Sequence, residues 1–222
     1  MSDNRLYVHV LLDRSGSMES CRDSTIAAFN DYIAKLKEAW KTATRVSLTL
    51  FDSESIELVH DAVPVTVLPP MTRATFVPRG ATPLLDAIGQ TVARVDGVAL
   101  ADGERVALVM LTDGLENASR EHTRDSIRKL LAGRQEDQNW LILYLGANQD
   151  AFQEAGALGV GAGHAMSYAI GSEAQAFTSI RSSMRRYVGA PSAAAGRAAA
   201  VFTDEERDAA GSARPGDRLS PK

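Results

Sequence analysis

The hydrophobic pattern of the chain alternates between short apolar runs, typical of strands, and longer amphipathic segments, typical of helices. Apolar runs without alternating charges predict strands buried on both faces, at residues 6–12, 105–111 and 140–145, and a last short strand is predicted at 165–169. Two runs that alternate apolar and polar residues predict half-buried strands, at 46–51 and 56–60. Apolar positions at about the 3.6-residue period predict helices, at 19–41, 82–95, from 119 or 123 to 133, at 150–158 and at 172–188.

Strands that alternate with helices predict an α/β fold with a doubly wound, mostly parallel sheet and helices on both of its faces. The turn at 52–55 is too short for a parallel crossover, so the strands on either side of it should form one antiparallel hairpin at a sheet edge. We expect residues 1–189 to form this domain. Residues 190–222 are rich in Ala, Ser, Gly, Arg and Pro, which favours a flexible C-terminal tail with a helical turn at 204–210.

Composition narrows the functional classes. The chain has 222 residues, a net charge of −4 and dispersed Lys and Arg, so it lacks the basic surface expected of a nucleic-acid-binding protein. The first apolar run is too short for a signal peptide, and no run is long enough to span a membrane, so we expect a cytoplasmic protein that does not bind membranes. Cys21 is the only cysteine, which excludes an internal disulfide.

Five oxygen-bearing side chains follow predicted strands or begin a helix. Asp13, Ser15 and Ser17 come directly after the first strand, Thr82 is the expected N-cap of a helix, and Asp113 follows a later strand. In doubly wound sheets, ligands bind at the carboxyl ends of the strands, so these side chains should lie near one another. For the first segment alone, ordinary turn and helix-cap chemistry is an equally simple explanation.

Two carboxylates and three hydroxyls are hard oxygen donors. They suit Mg²⁺, with Mn²⁺ or Ca²⁺ as further candidates, and argue against zinc or copper. Hydroxyls are neutral ligands, so an ion held mainly by them would keep most of its charge and at least one open coordination position. We expect that position to accept a carboxylate oxygen from an Asp or Glu of a partner protein.

The same residues form a recognisable set of motifs: Asp-Arg-Ser-Gly-Ser at 13–17, Gly-Ala-Thr-Pro-Leu at 80–84 and Thr-Asp-Gly at 112–114. In order and spacing over residues 6–188, the chain resembles von Willebrand factor type A (VWA) domains with a complete metal-ion-dependent adhesion site (MIDAS). The resemblance implies a Rossmann-like fold and a divalent ion ligated directly by the two serines and the threonine. The two aspartates would bind that ion directly or through water.

The sequence around the motifs, at 78–88 and 112–117, is similar to that of intracellular bacterial VWA proteins rather than integrins. This resemblance implies a protein-binding module without enzymatic activity. It also implies, as classes of partner, AAA+ ATPases and components of stress-resistance systems.

A metal-dependent enzyme is the alternative function. An aspartate after a first strand also serves Mg²⁺-dependent phosphatases that resemble haloacid dehalogenases, with Asp13 in the role of nucleophile. That family requires a second Asp two residues later as a general acid, and Ser15 occupies this position. We therefore favour the binding module.

Five further residues have candidate roles in or near the site. Glu116 and Asn117 should lie at the rim of the site, as supporting or partner-contacting residues or as solvated loop residues. Asp52 should stabilise its hairpin turn. Arg14 and Met18 flank the predicted ligands, and contact with a partner is an open alternative for both.

Overall fold

The computed structural model describes residues 5–39, 44–138, 140–147 and 151–212. Its strands are β1 (Leu6–Asp13), β2 (Thr44–Phe51), β3 (Ile56–Pro64), β4 (Arg105–Thr112), β5 (Leu141–Ala147) and β6 (Ala165–Tyr168). Within the described residues they form one sheet in the order β3-β2-β1-β4-β5-β6. Only the pairing of β2 with β3 is antiparallel among these strands. The predicted sheet with an antiparallel edge hairpin is confirmed.

Helices cover both faces of the sheet, as predicted. They are α1 (Arg22–Ala39), α2 (Leu84–Asp96), α3 (Arg124–Glu136), α4 (Ala151–Ala157), α5 (Glu173–Gly189), α6 (Ala193–Ala199) and α7 (Asp204–Ala209). The predicted helix positions 40, 41 and 150 lie outside the described residues. In the part of the chain that is described, no helix combines the length and apolarity needed to cross a membrane.

Strand β1 shows how the sheet separates two cores. All eight of its residues are buried, and its side chains point alternately to opposite faces. Val8 and Val10 belong to the core that includes α1 and α5, while Tyr7 and Leu11 belong to the core that includes α2 and α3. Because it is covered on both faces, β1 lies in the middle of the molecule, and Asp13 ends it at the carboxyl edge of the sheet.

The start of α2 differs from the prediction. Thr82 is not the N-cap: the helix begins at Leu84, and Pro83 precedes it with a ψ of 61°. The backbone N–H of Thr82 instead donates to the side chain of Asn117, 2.9 Å away. The Thr82 side chain is therefore not used to cap a helix.

Residues 190–212 also differ from the predicted flexible tail, although the predicted helical turn at 204–210 coincides with α7. Phe202 is buried, and its N–H donates to the carbonyl oxygen of Gly163 at 2.8 Å. Gly196 packs so closely on α5 that a side chain there would collide with the carbonyl oxygen of Tyr187. Small residues let the backbones approach, which the count of large apolar residues does not reveal. Residues 213–222 lie outside the described part of the chain.

Candidate metal centre

The candidate site lies at the carboxyl edge of the sheet, where the neighbouring parallel strands β1 and β4 end. The turn after β1 carries Ser15 and Ser17, and the turn after β4 carries Asp113. The loop before α2 brings Thr82 to the same edge. Asp13, Ser15 and Thr82 are buried, while Ser17 is exposed and Asp113 is half-buried, so the site opens to solvent on one side.

Asp13 is fully buried, and both of its carboxylate oxygens are hydrogen-bonded. Ser15 N–H donates to Oδ1 at 2.7 Å, and the Thr112 hydroxyl donates to Oδ2 at 2.6 Å. Burial raises the pKa of Asp13 to about 6, although these hydrogen bonds oppose the increase. Both of these donors are neutral groups, and no ion pair with Asp13 is present among the described residues.

A chain of hydroxyl groups connects the first turn to Asp113. Ser17 Oγ donates to Asp113 Oδ1 at 2.6 Å, and Ser15 Oγ lies 3.1 Å from Ser17 Oγ. Because the Ser17 proton is directed to Asp113, Ser15 is the donor in the second pair. Burial raises the pKa of Asp113 as well, against the opposing effect of the Ser17 hydrogen bond. Both carboxylates are thus less acidic than an exposed aspartate.

Gly114 shows where the Thr82 hydroxyl lies. A methyl group on Gly114 would be 2.9 Å from Thr82 Oγ1 and 3.7 Å from Ser17 Oγ, so both hydroxyls lie close above this glycine. Any side chain at position 114 would push one of them away. The structure therefore brings all five predicted site residues together, three on the first turn and one at each of the two later positions.

The loop after Asp113 contacts the start of α2. Asn117 pairs with both backbone groups of Thr82, and Glu116 Oε2 accepts a hydrogen bond from the N–H of Leu85 at 3.0 Å. These contacts favour the interpretation of Glu116 and Asn117 as supporting residues over their interpretation as solvated loop residues.

Arg14 and Met18 are buried, which leaves neither free to contact a partner. Arg14 Nη2 lies 2.8 Å from Asp52 Oδ2, and both side chains are almost completely inaccessible to solvent. Asp52 also accepts hydrogen bonds from the N–H groups of Glu54 and Ser55, which confirms its predicted role in the hairpin turn.

A polar cleft of about 710 Å³ opens beside Thr82, between the β2–β3 turn and the loop that follows Asp113. Its lining includes Ser53, Glu54, Ala81, Pro83, Asn117 and Glu121. None of the five predicted ligands lines this cleft, so it neighbours the candidate site without being part of it.

The donor set fits a hard divalent cation that retains water ligands. The pKa values of Asp13 and Asp113 are raised, and neither carboxylate is paired with a cation among the described residues. Three hydroxyl groups lie beside them, and such oxygen donors match the preference of Mg²⁺. Within the described residues, no three His, Cys, Asp or Glu side chains cluster in a way that could hold a metal. A fully protein-coordinated, carboxylate-rich cage is thus not the arrangement here.

Asn117 was expected at the rim of the site, but its partner was not evident from the sequence, and neither was the supporting role of Thr112. Thr112 belongs to the Thr-Asp-Gly motif, yet its hydrogen bond to Asp13 becomes evident only when β1 and β4 are known to be neighbours. The pairing of Asn117 with Thr82 joins residues 35 positions apart, and no local pattern predicts it. A polar residue at the last position of a central strand was the only available signal for Thr112.

No family model matches the sequence, and no curated protein is significantly similar to it. Solved structures do resemble it. Proximal thread matrix protein 1 from the mussel byssus superposes with a TM-score of 0.58 at 12% identity, covering 78% of this chain and 46% of that chain. The ArnB paralog VWA2 from Sulfolobus acidocaldarius superposes with a TM-score of 0.52 at 20% identity, covering 79% and 44% respectively.

A second structure of the mussel protein, with a zinc-occupied MIDAS motif, has a TM-score of 0.52 at 12% identity and covers 74% of this chain and 41% of that chain. The chain thus spans less than half the length of these structures. Identities this low establish a shared fold rather than a shared activity. The parallel sheet, its antiparallel edge hairpin and these superpositions together show that the chain has the fold of a von Willebrand factor type A domain.

Proposed function

We propose that this domain is a divalent-metal-dependent protein-binding module, in which Asp13, Ser15, Ser17, Thr82 and Asp113 hold the ion. The observation that carries the proposal is the meeting of two under-compensated carboxylates and three hydroxyls at one solvent-accessible edge of the sheet. A zinc-occupied MIDAS motif in a protein of similar fold gives further support. Mg²⁺ is the proposed ion, with Mn²⁺ or Ca²⁺ as alternatives, because the donors are hard oxygens.

The proposed ligands would have two different roles, as a charged group and as neutral donors. Buried Asp13 would supply negative charge from below, while the hydroxyls of Ser15, Ser17 and Thr82 would serve as neutral ligands. A bound divalent ion would supply an open coordination position for a carboxylate oxygen of an Asp or Glu on another protein. Leu115, which follows the site and is 54% exposed, offers an apolar contact beside that carboxylate.

The class of partner rests on the sequence resemblance alone. Residues 78–88 and 112–117 are similar to intracellular bacterial VWA proteins, so we propose a cytoplasmic setting and a partner among AAA+ ATPases or stress-system components. Capture from a lysate of the source cells, with Mg²⁺ or with a chelator, tests this part. A partner retained equally well in the presence of chelator would contradict a metal-mediated contact.

Titration calorimetry with Mg²⁺ and Mn²⁺ tests the metal site directly. We expect binding by the unaltered chain and loss of binding in Asp113→Ala and Ser17→Ala, which remove solvent-accessible ligands while the buried core is kept. Asp102→Ala is the matched control, because this exposed aspartate lies in the turn before β4, at the opposite end of the strand. Equal affinity in all four proteins would refute the assignment.

The alternative enzyme is less well supported. A phosphatase of the class considered above would need a second aspartate two residues after Asp13 as general acid, and Ser15 occupies that position. We expect no metal-dependent hydrolysis of a phosphate ester such as p-nitrophenyl phosphate. Turnover that disappears in Asp13→Asn would favour the enzyme instead.

A further inference from the structure

Two segments that supply predicted ligands are joined at Asn117. Its backbone N–H donates to the carbonyl oxygen of Thr82 at 3.1 Å, and its side-chain Oδ1 accepts from the N–H of Thr82 at 2.9 Å. Both backbone groups of Thr82 are thus paired with a single residue of the loop that begins at Asp113. The position of Thr82 relative to Asp113 depends on this pairing.

Asn117 is itself held in place by its neighbours. Glu116 Oε1 accepts hydrogen bonds from the N–H groups of Ala118 and Ser119 at 3.0 and 2.8 Å. Glu116 Oε2 accepts from the N–H of Leu85 in the first turn of α2. The hydrogen bonds of Glu116 therefore hold the loop together and join it to the start of α2, which fixes the backbone position of Asn117.

The Asn117 side chain does not pack in the hydrophobic core. The residue is exposed, and its side chain accepts a hydrogen bond from Thr82, a residue that is buried and whose hydroxyl lies above Gly114. The N-cap role expected for Thr82 is absent, because α2 begins two residues later. What Asn117 fixes is therefore the backbone from which the Thr82 hydroxyl reaches the candidate metal site.

We propose that Asn117 is a positioning residue for metal binding, which acts through Thr82 by holding its hydroxyl in the ligating position. This inference rests on the proposed metal-binding function. Residues that support metal ligands without touching the ion typically contribute 10- to 100-fold to metal affinity. A contribution made through one ligand must also vanish when that ligand is removed, which separates positioning from general stabilisation of the fold.

Titration with Mn²⁺, followed by calorimetry, tests the inference in a double-mutant cycle of Asn117→Ala and Thr82→Ala. We expect Asn117→Ala to weaken binding about 10- to 100-fold in the unaltered chain and to have no further effect in Thr82→Ala. Asn117→Asp keeps an acceptor oxygen for the N–H of Thr82, so its affinity should not fall below that of the unaltered chain. Glu121→Gln, on the same loop, is the matched control and should bind normally.

Each outcome of the cycle decides between the alternatives. Equal losses from Asn117→Ala in both backgrounds, or no loss in the unaltered chain, would overturn the positioning role while leaving the metal site intact. If Asn117→Ala does not fold, Asn117→Ser takes its place in the cycle with the same expectations. If the unaltered chain binds no Mn²⁺, Mg²⁺ or Ca²⁺, the proposed function fails and this inference fails with it.

Discussion

At the residue scale, three buried carboxylates differ in how their charge is compensated. Asp52 is paired with Arg14 and also accepts backbone N–H groups, and these interactions outweigh burial and lower its pKa. Asp86 is stabilised mainly by backbone N–H groups and to a smaller extent by the charge of His122, and its pKa is also lowered. Asp13 accepts one N–H and the Thr112 hydroxyl, and its pKa is raised. Of these three carboxylates, Asp13 is the one whose hydrogen bonds do not outweigh the effect of burial on its pKa.

Asp86→Asn tests this reasoning where no metal is involved. Burial alone would raise the pKa of Asp86, but the N–H groups of Arg120, His122 and Glu121 outweigh it and lower the pKa. The stabilisation is therefore fully present above about pH 4, the ordinary value in the unfolded chain, and is lost as the pH falls through the lowered value. We expect Asp86→Asn to reduce the free energy of unfolding by about 1–3 kcal/mol at pH 7.

Urea unfolding at several pH values measures this difference. The gap between the unaltered chain and Asp86→Asn should be constant from pH 7 to pH 5 and should narrow below about pH 4. Asp102→Asn, at an exposed position, is the control and should change little at any pH. A gap that widens as the pH falls would mean that the sign of the Asp86 shift is wrong.

At the element scale, the edge hairpin is fastened to the first turn of the site. Arg14 donates to Asp52 and Ser55 of the β2–β3 turn, and its carbonyl oxygen accepts from the N–H of Arg79. The N–H of Gly16 donates to the carbonyl oxygen of Gly80 at 3.0 Å. The turn carrying Ser15 and Ser17 is therefore held between the hairpin and the loop that leads to Thr82.

Arg14→Met should show how much this attachment contributes to stability. Removing Arg14 leaves buried Asp52 with the longer contact to Arg79 as its remaining ion pair among the described residues, so we expect the free energy of unfolding to fall by about 2–3 kcal/mol. Arg73→Met is the matched control: its pair with Asp23 is about two-thirds exposed on both sides, so its loss should change the free energy of unfolding little. Similar losses in the two variants, measured by urea unfolding, would show that burial of the Arg14 pair is unimportant.

At the scale of the whole molecule, the regular sheet and the location of the site were predictable from the sequence. Buried runs identify β1 and β4, and the rule that ligands gather at carboxyl strand ends places Asp13 and Asp113 together. Contacts made through the backbone were not predictable. Asn117 pairs with a residue 35 positions away, and the segment from 193 to 212 packs through small residues such as Gly196, for which hydrophobic periodicity carries no signal.

The segment from 193 to 212 is consequently part of the folded unit. The N–H groups of Ser167 and Ala169 at the edge of the sheet donate to Ser212 Oγ and to the carbonyl oxygen of Ala210, both at 3.1 Å. Arg207 is buried and donates to the carbonyl oxygen of Ala165 at 2.6 Å. These contacts cover an edge strand that would otherwise present unpaired backbone groups.

Shortening the chain to residues 1–191 should therefore destabilise the domain, because it exposes the edge of β6 and the faces of α5 that α6 and α7 cover.

Arg207→Ala isolates one part of this effect. The guanidinium carbon of Arg207 lies 5.1 Å from the centre of the Phe152 ring, in addition to its hydrogen bond with the chain at Ala165. We expect Arg207→Ala to lower the free energy of unfolding by about 2–4 kcal/mol.

Arg185→Ala is the matched control for this experiment, because Arg185 is exposed on α5 and should be replaceable at little cost. Urea unfolding followed by circular dichroism gives the stabilities, and Mn²⁺ titration at low denaturant gives the affinities. The candidate metal site lies at β1 and β4, and β4 is two strands away from β6, so Arg207→Ala should lose stability without losing affinity. If residues 1–191 unfold at the same urea concentration as the whole chain, the C-terminal helices do not belong to the domain.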